Sequence, residues 1–319
     1  MKITVIDKGS GIIQQFAGAL GAKVDGRFVY IPESKGSGYL TGFSWGRDLR
    51  MMIRNYHLNE DVFIERTNEL AEGQHDIVFL LTGVFSTFLS NGQIIQPEQA
   101  NMMICKHAVS SVLSMPKDTM FGSVTIAVSR EYLNQLFGQI NHPVVESVLK
   151  AGDNFVLETG ISTAIIRTAN DLVDHSISVS LESYYNKLKC EELLCQIFNL
   201  LIERNAVPTG KMHINDIKAI YGIKNRILLH LNIAPNIASL SKNAGISEPK
   251  LRKLFKQTFN KGVFEYYQYS RMLQAARLLK DKHLSVSEVG YQLGFTNLSH
   301  FSKVFEKHFG LKPKKYSMQ

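Results

Sequence analysis

From residue 28 to about residue 128, apolar positions fall in short β-branched and aromatic runs separated by glycine and polar punctuation. The runs cover residues 28–31, 39–44, 49–56, 61–67, 77–82 and 84–90, then 101–105, 108–115 and 121–128. Period-two runs of this length predict strands, and many of them at regular spacing predict a sandwich or small barrel of the kind that encloses a pocket. Asn91-Gly92, set between two apolar runs, predicts a two-residue hairpin. At Ser129 the period changes. Ser129 stands as a helix N-cap, His142-Pro143 opens a second helix, and residues 161–172 and 181–203 repeat every 3.6 residues. In the last of these segments Tyr185, Leu188, Leu194, Ile197, Phe198 and Leu201 form a stripe, which reads equally as packing against the strands or as a dimer interface. Val207-Pro-Thr-Gly210 is the best linker, and residues 214–231 read as one more helix.

The carboxy-terminal part carries one pattern twice. Aligned on Gly245 and Gly294, the apolar positions Ile237, Leu240 and Ala244 fall on Val286, Val289 and Leu293. Leu251, Phe255 and Phe259 fall on Phe301, Phe305 and Phe309 after one extra residue in the second turn. Each copy reads as a short helix, a glycine exit and a second helix with Ser247 or Asn297 as N-cap. Apolar spacing of i, i+4 and i+8 on the second helix leaves a free face with Arg252, Lys253 and Lys256, or with Ser299, Ser302 and Lys303. Residues 263–280 have helical spacing and join the copies, and Ser285-Val-Ser-Glu288 is a capping box opening the second.

The picture is therefore a two-domain α+β chain. Residues 1–206 form a β-rich domain, with strands at about 28–128 and helices at about 129–205. Residues 207–319 form an all-α domain, with helix-turn-helix units at about 237–259 and 286–309 and a linker helix at about 263–280.

Charge separates the same two parts. Residues 236–319 hold 15 Lys+Arg and 5 Asp+Glu, a net of +10, out of 36 and 28 in the whole chain; residues 1–235 keep 21 and 23, a net of −2. A basic face confined to one domain is the electrostatic footprint of a phosphate-backbone binder. Three cysteines, Cys105, Cys190 and Cys195, offer neither a disulfide framework nor metal-ligand spacing, so a reducing cytoplasm is expected. The start of the chain is charged too soon for a secretory signal, and no apolar run approaches the roughly 18 residues of a membrane helix.

Residues 236–319 resemble the DNA-binding domain of AraC/XylS-type transcription regulators. The likeness is carried by Leu251-Arg-Lys-Leu-Phe-Lys256, the segment from Arg271 to Leu279, Gly294-Phe295, Phe301-Ser-Lys-Val-Phe305 and Gly310-Leu-Lys-Pro313-Lys-Lys-Tyr316. Asn260 departs from the pattern where glycine is usual, and asparagine is the next most tolerant residue for a left-handed cap. The resemblance implies double-stranded DNA as partner. Base-edge contacts would come from Pro249, Arg252 and Lys253 in the first unit and from Leu298, Ser299, His300 and Lys303 in the second. Phosphate contacts would come from Lys250, Lys256, Ser302, Lys307, Lys312, Lys314 and Lys315. It also implies a cupin-like, jelly-roll amino-terminal domain that binds a small-molecule effector, a homodimer, and RNA polymerase as a further contact. Lys187-Leu-Lys-Cys-Glu-Glu-Leu-Leu194, with Gly36-Ser-Gly-Tyr-Leu40, further resembles the siderophore-responsive, pyochelin-regulator branch.

No catalytic constellation competes. The chain lacks a Gly-x-Ser-x-Gly elbow, a phosphate-cradling glycine loop and a paired-cysteine motif, and His57, His75 and His107 are isolated rather than clustered as metal ligands. No cofactor, metal or catalytic residue is expected. Phe43, Trp45, Tyr56, Phe63, Phe79, Phe85 and Phe88 read first as core filling and second as effector-pocket walls. The rivals are an enzyme that borrows a DNA reader, which would need a reactive Cys190 or Cys195, and a non-specific architectural DNA binder.

Overall fold

The computed structural model describes residues 2–7, 12–68, 77–85, 88–90, 93–95, 100–106, 111–115, 117, 119–152, 155–173, 177–204, 207, 212–280 and 284–318. Its chain divides into two compact units, Met1–Met212 and His213–Gln319.

The first unit runs β1 (Lys2–Asp7), α1 (Ile12–Leu20), β2 (Lys23–Asp25), β3 (Phe28–Tyr30), β4 (Gly36–Trp45), β5 (Leu49–Leu58), β6 (Val62–Asn68), β7 (Ile77–Thr82), β8 (Phe88–Ser90), β9 (Gln93–Ile95), β10 (Asn101–Lys106), β11 (Ser111–Met115) and β12 (Met120–Val128). It closes with α2 (Arg130–Phe137), α3 (Pro143–Leu149), β13 (Val156–Thr159), α4 (Thr163–Asp171) and α5 (Val179–Ile202). Eight strands pair in the order β13-β10-β7-β12-β5-β4-β3-β2, and β6 lies between β1 and β11 in a three-stranded sheet. The β8–β9 ladder pairs Ser90 with Gln93; Asn91 and Gly92 themselves lie outside the described residues.

The register of the large sheet explains its core. Met51 opposes Ile126, Ile126 opposes Phe79, and Phe79 opposes Ile104, so one face carries an unbroken apolar row. Onto this row pack Leu133, Phe137, Val148, Ile165, Leu194, Ile197, Phe198 and Leu201 from the helices, all buried. The Phe198 ring stacks on Phe137 at 4.1 Å and meets Phe79 at 6.1 Å. On the other face Leu40, Tyr56 and Phe121 pack with Phe16, Ala17 and Leu20 of α1, Ile3 of β1 and Val62.

Helix starts follow local chemistry. The Ser129 hydroxyl accepts from the Tyr132 N–H at 3.1 Å, and His142 caps α3, whose first position is Pro143.

Several details depart from the strand pattern expected at residues 28–128. β1, β2 and β13 lie outside that span. Strand β1 pairs in parallel with β6 about sixty residues away, a pairing that no local pattern announces. Val84 and Phe85 are buried but form no ladder; the Val84 N–H instead donates to the Gly122 carbonyl at 3.1 Å. Of the aromatic residues expected to fill the core, Tyr56, Phe79 and Phe85 are buried, Phe43 and Trp45 are half-buried against the core, and Phe63 is exposed. His57 is buried and its Nδ1 lies 2.8 Å from the Ser37 hydroxyl. His75 and His107, the Phe88 side chain, and residues 208–210 of the expected linker fall outside the described residues. Of the expected stripe on α5, Leu194, Ile197, Phe198 and Leu201 are buried, whereas Leu188 is exposed.

The second unit is helical: α6 (Ile214–Leu229), α7 (Ile237–Asn243), α8 (Glu248–Phe259), α9 (Val263–Lys280), α10 (Val286–Gln292), α11 (Leu298–Phe309) and α12 (Pro313–Tyr316). Among the described residues, no helix is long and apolar enough to cross a membrane.

Candidate nucleic-acid interface

The second unit contains two helix pairs, α7 with α8 and α10 with α11, and α9 lies between them in sequence. In the first pair the Asn236 side chain caps α7 by accepting from the Ser239 N–H at 2.9 Å. Gly245 then turns the chain at φ +67°. Ser247 occupies the N-cap of α8 without a side-chain bond, and proline stands in the first turn, where a missing N–H costs nothing. Leu251, Leu254, Phe255, Thr258 and Phe259 are buried on one side of α8. This leaves Pro249, Lys250, Arg252, Lys253 and Lys256 exposed on the other. Asn260 closes the helix in the left-handed region at φ +57°, where its N–H donates to the Lys256 carbonyl.

The second pair repeats the plan with tighter fittings. The Ser285 hydroxyl accepts from the Glu288 N–H at 3.2 Å, and the Glu288 carboxylate accepts from the Ser285 N–H at 2.7 Å, completing the capping box. These bonds hold the Glu288 carboxyl below its usual range. Asn297 caps α11 by accepting from the His300 N–H at 3.0 Å. Phe301 and Phe305 are buried, and Ser299, His300, Lys303 and Lys307 are exposed.

Each residue singled out in the sequence has a definite place. Arg252 stands free of the core, its guanidinium 3.4 Å from Glu248 one turn back, with 59% of the side chain exposed. Lys253, Lys256, Lys307, Lys312, Lys314 and Lys315 are exposed, and Ser302 is half-buried. Lys250 has another partner: its ammonium lies 2.8 Å from Asp216 and joins α8 to α6. Leu298 is half-buried and leans on α10, because a Cβ on Gly290 would come within 2.6 Å of its Cδ2.

Two supports stand behind this face: Arg271, in a role the sequence reading did not assign, and the helix expected at residues 214–231. Arg271 of α9 is 6% exposed; its Nε and Nη2 donate to the Leu293 carbonyl at 3.1 and 2.6 Å, and its Nη1 donates to Gln268. The guanidinium lies 3.8 Å from the Phe295 ring centroid and 4.9 Å from that of Tyr267, and burial lowers its pKa. An arginine so held fixes the turn of the second pair and offers nothing to DNA. The other support is α6, whose Ile217, Ile220, Ile223 and Ile227 are buried and whose Tyr221 meets Phe259 edge-on at 5.6 Å. The signal for Arg271 was its position among small and aromatic residues on the inward side of α9, a place where a cation needs a fixed acceptor.

Among the described residues, no cluster of histidine, cysteine and carboxylate side chains suits a metal ion. Cys190 is buried and its thiol is pushed up by burial, the reverse of a reactive thiolate, while Cys195 is exposed.

The match to a family model falls within this unit. Residues 240–319 match a family model described as a helix-turn-helix domain. The probable transcription factor PqrA of Proteus vulgaris is 30% identical over 88 residues, covering 28% of this chain and 72% of that protein. The HTH-type transcriptional regulator YpdC of Escherichia coli is 37% identical over 79 residues, 25% of this chain and 28% of that protein. The DNA-binding domain of AdpA, solved in complex with a target DNA, is 24% identical and covers 31% of this chain and 90% of that one, with a TM-score of 0.30. The exposed basic face, the paired helices and the extent of the match to the Proteus protein together place this chain in the AraC/XylS-type family of DNA-binding transcription regulators.

Proposed function

We propose that the protein is a sequence-specific regulator that reads two adjacent segments of the major groove with α8 and α11, as two helix-turn-helix units in one chain. The observation that carries this reading is the division of α8. Its apolar side is sealed against α6 and α9, while Pro249, Arg252 and Lys253 stand exposed on the opposite side at the amino-terminal half that enters a groove. Arg252 would read a guanine through its two acceptors, with Pro249 and Lys253 beside it; Ser299, His300, Lys303 and Leu298 would serve the second segment. Lys256, Ser302, Lys307, Lys312, Lys314 and Lys315 would hold phosphates, and Lys250 would join them only by leaving Asp216.

In this reading the first unit is a cupin-like sensor for a small-molecule effector, and the protein acts in the cytoplasm as a homodimer that contacts RNA polymerase. The dimer is favoured by one specific observation. Val179, Leu181, Tyr184 and Leu188 on α5 are large apolar residues exposed by 85, 58, 65 and 47%, and the last three recur at i, i+3 and i+7 on one side of the helix.

The test is selection of bound fragments from a genomic library at near-physiological salt, with Arg252→Ala in parallel. The native protein should enrich a motif with two parts about one helical turn, roughly 34 Å, apart. Arg252→Ala should relax preference at one base position by about 1 to 3 kcal/mol. Equal losses on specific and random DNA would reject the reading role of Arg252.

A further inference from the structure

Helix α6 carries a glycine that its own fold does not call for. Gly222 sits in the middle of this 16-residue helix, where a missing Cβ leaves more backbone freedom to lose and weakens the helix relative to alanine. It is exposed, and a Cβ there would meet nothing within 4 Å, so neither close packing inside the unit nor a left-handed turn requires it.

The glycine lies in a cavity of about 270 Å³ between α6 and α7. Ala219 and Ile223 of α6 and Leu240 and Ala244 of α7 line it with apolar surface, and Lys218 and Arg226 stand exposed one turn to either side of Gly222.

The pattern continues along the helix. Lys218, Gly222 and Arg226 recur at every fourth residue; Leu229 follows at the next turn, 78% exposed, and Ile233 just past the helix end is 62% exposed. Lys218 and Arg226, eight residues apart, are separated by about 12 Å along the axis. Among the described residues neither is in an ion pair, and Asp216, the acid on α6, is already held by Lys250 at 2.8 Å. One side of α6 therefore presents a cation, an empty place, a second cation and uncovered apolar bulk.

We propose that this groove receives an amphipathic helix of a partner protein, one that sets two carboxylates two turns apart over Lys218 and Arg226 and small side chains over Gly222. Helices approach as closely as the side chains at their contact allow, and glycine allows the closest approach. Leu229 and Ile233 then cover the apolar end of the guest. A second copy of this chain suits the groove poorly, because α6 has no free acid and would bring its cations against their own kind. Phosphates would accept the cations but have no use for the apolar lining. Tyr221 of α6 also meets Phe259 on the buried side of α8, which places α6 behind that helix rather than beside Arg252 and Lys253. The inference goes beyond the DNA reading and does not depend on it.

The test uses the full-length protein and a labelled, capped, helix-forming peptide of about twenty residues. Two glutamates two turns apart, alanines between them and a leucine one turn beyond each share one face of the peptide; lysines replace the glutamates in the control. Fluorescence anisotropy should show saturable binding of the acidic peptide and binding at least about tenfold weaker for the control. Gly222→Ala should raise the melting temperature by about 3 to 6 °C and still weaken the peptide severalfold. Gly222→Leu should abolish binding while melting no lower than the native protein, a loss that misfolding does not explain. Lys218→Gln with Arg226→Gln should lower affinity about tenfold and remove most of its salt dependence. Absence of saturable binding would overturn the proposal, as would equal binding of the two peptides or binding indifferent to Gly222→Leu. Self-association of the native protein that Gly222→Leu abolishes would overturn it in favour of a second copy. Loss of affinity for random DNA in the double variant, with the peptide retained, would overturn it in favour of phosphates.

Discussion

The two helix pairs share a plan and divide its requirements differently. The first turns on a glycine with open space around it: a Cβ on Gly245 would meet nothing within 4 Å. Its α8 begins at a serine whose side chain makes no capping bond, and it presents three exposed cations, Arg252, Lys253 and Lys256. In the second pair the turn is bolted by Arg271, the opening by a capping box and the start of α11 by Asn297, while the outward face is milder, with Ser299, His300 and Lys303. The first pair is held from outside, by α6, α9 and the Lys250–Asp216 ion pair; the second also leans on α9 but is held in addition by hydrogen bonds at its own turns. A reader can be stiffened at its turn or braced along its back, and this unit does one of each.

The largest effect should come from removing the bolt. Arg271→Ala would leave the Leu293 carbonyl without its donors and empty the slot between Tyr267 and Phe295. The expected loss is about 3 to 5 kcal/mol from the second unit, read by denaturant unfolding, with hydrogen exchange accelerating first in α10 and α11. Equal acceleration in α7 and α8 would break the comparison, because it would make Arg271 a support of the whole unit.

The two glycines sharpen the contrast at a smaller scale. Gly245 and Gly294 have φ of +67° and +77°, so alanine is strained at both. Only at Gly294 does a neighbour stand in the way: a Cβ there would lie 2.2 Å from the Asn232 carbonyl oxygen, which is backbone and yields little. Gly245→Ala should cost about 1 kcal/mol, the left-handed penalty alone, and Gly294→Ala about 2 to 3 kcal/mol, measured as paired unfolding midpoints. Matching losses would show that Asn232 gives way and that the second turn is no tighter than the first.

These differences also mark how far the sequence could be read. Local devices were open to inspection: Ser285 and Glu288 are three residues apart and bond as a capping box, Ser129 and Asn297 cap as their positions suggest, and Asn260 adopts the left-handed conformation that asparagine tolerates. The alternation of β5, β7 and β12 announced strands with one face toward a core. What stayed hidden depends on contacts between distant residues. The parallel pairing of β1 with β6, the burial of Val84 and Phe85 outside any ladder, and the diversion of Lys250 to Asp216 each require a partner that sequence spacing does not name. In the interface the exposed cations could be named from helical period alone. Arg271, equally basic, could be separated from them only by knowing which side of α9 faces inward.

The smallest effect tests whether the capping box adds to the stiffness of the second pair through charge or through geometry alone. Bonds from Ser285 depress the Glu288 pKa in the folded chain, so the folded carboxyl holds its proton less tightly than the unfolded one, which titrates at about 4.3. Its contribution is therefore fully present above the unfolded pKa and disappears as pH falls through the lower, folded value. Glu288→Gln keeps an oxygen that can accept from the Ser285 N–H and loses the titration. The native protein should be slightly more stable than this variant at neutral pH, with the difference closing below about pH 4.5. Exchange of the α10 amides should follow the same curve in the native protein, while the α7 amides, capped by the neutral Asn236, should not. A stability gap between native and variant that persists unchanged into acid would assign the box to geometry alone, and the two helix pairs would then differ in their turns but not in the charge at their entrances.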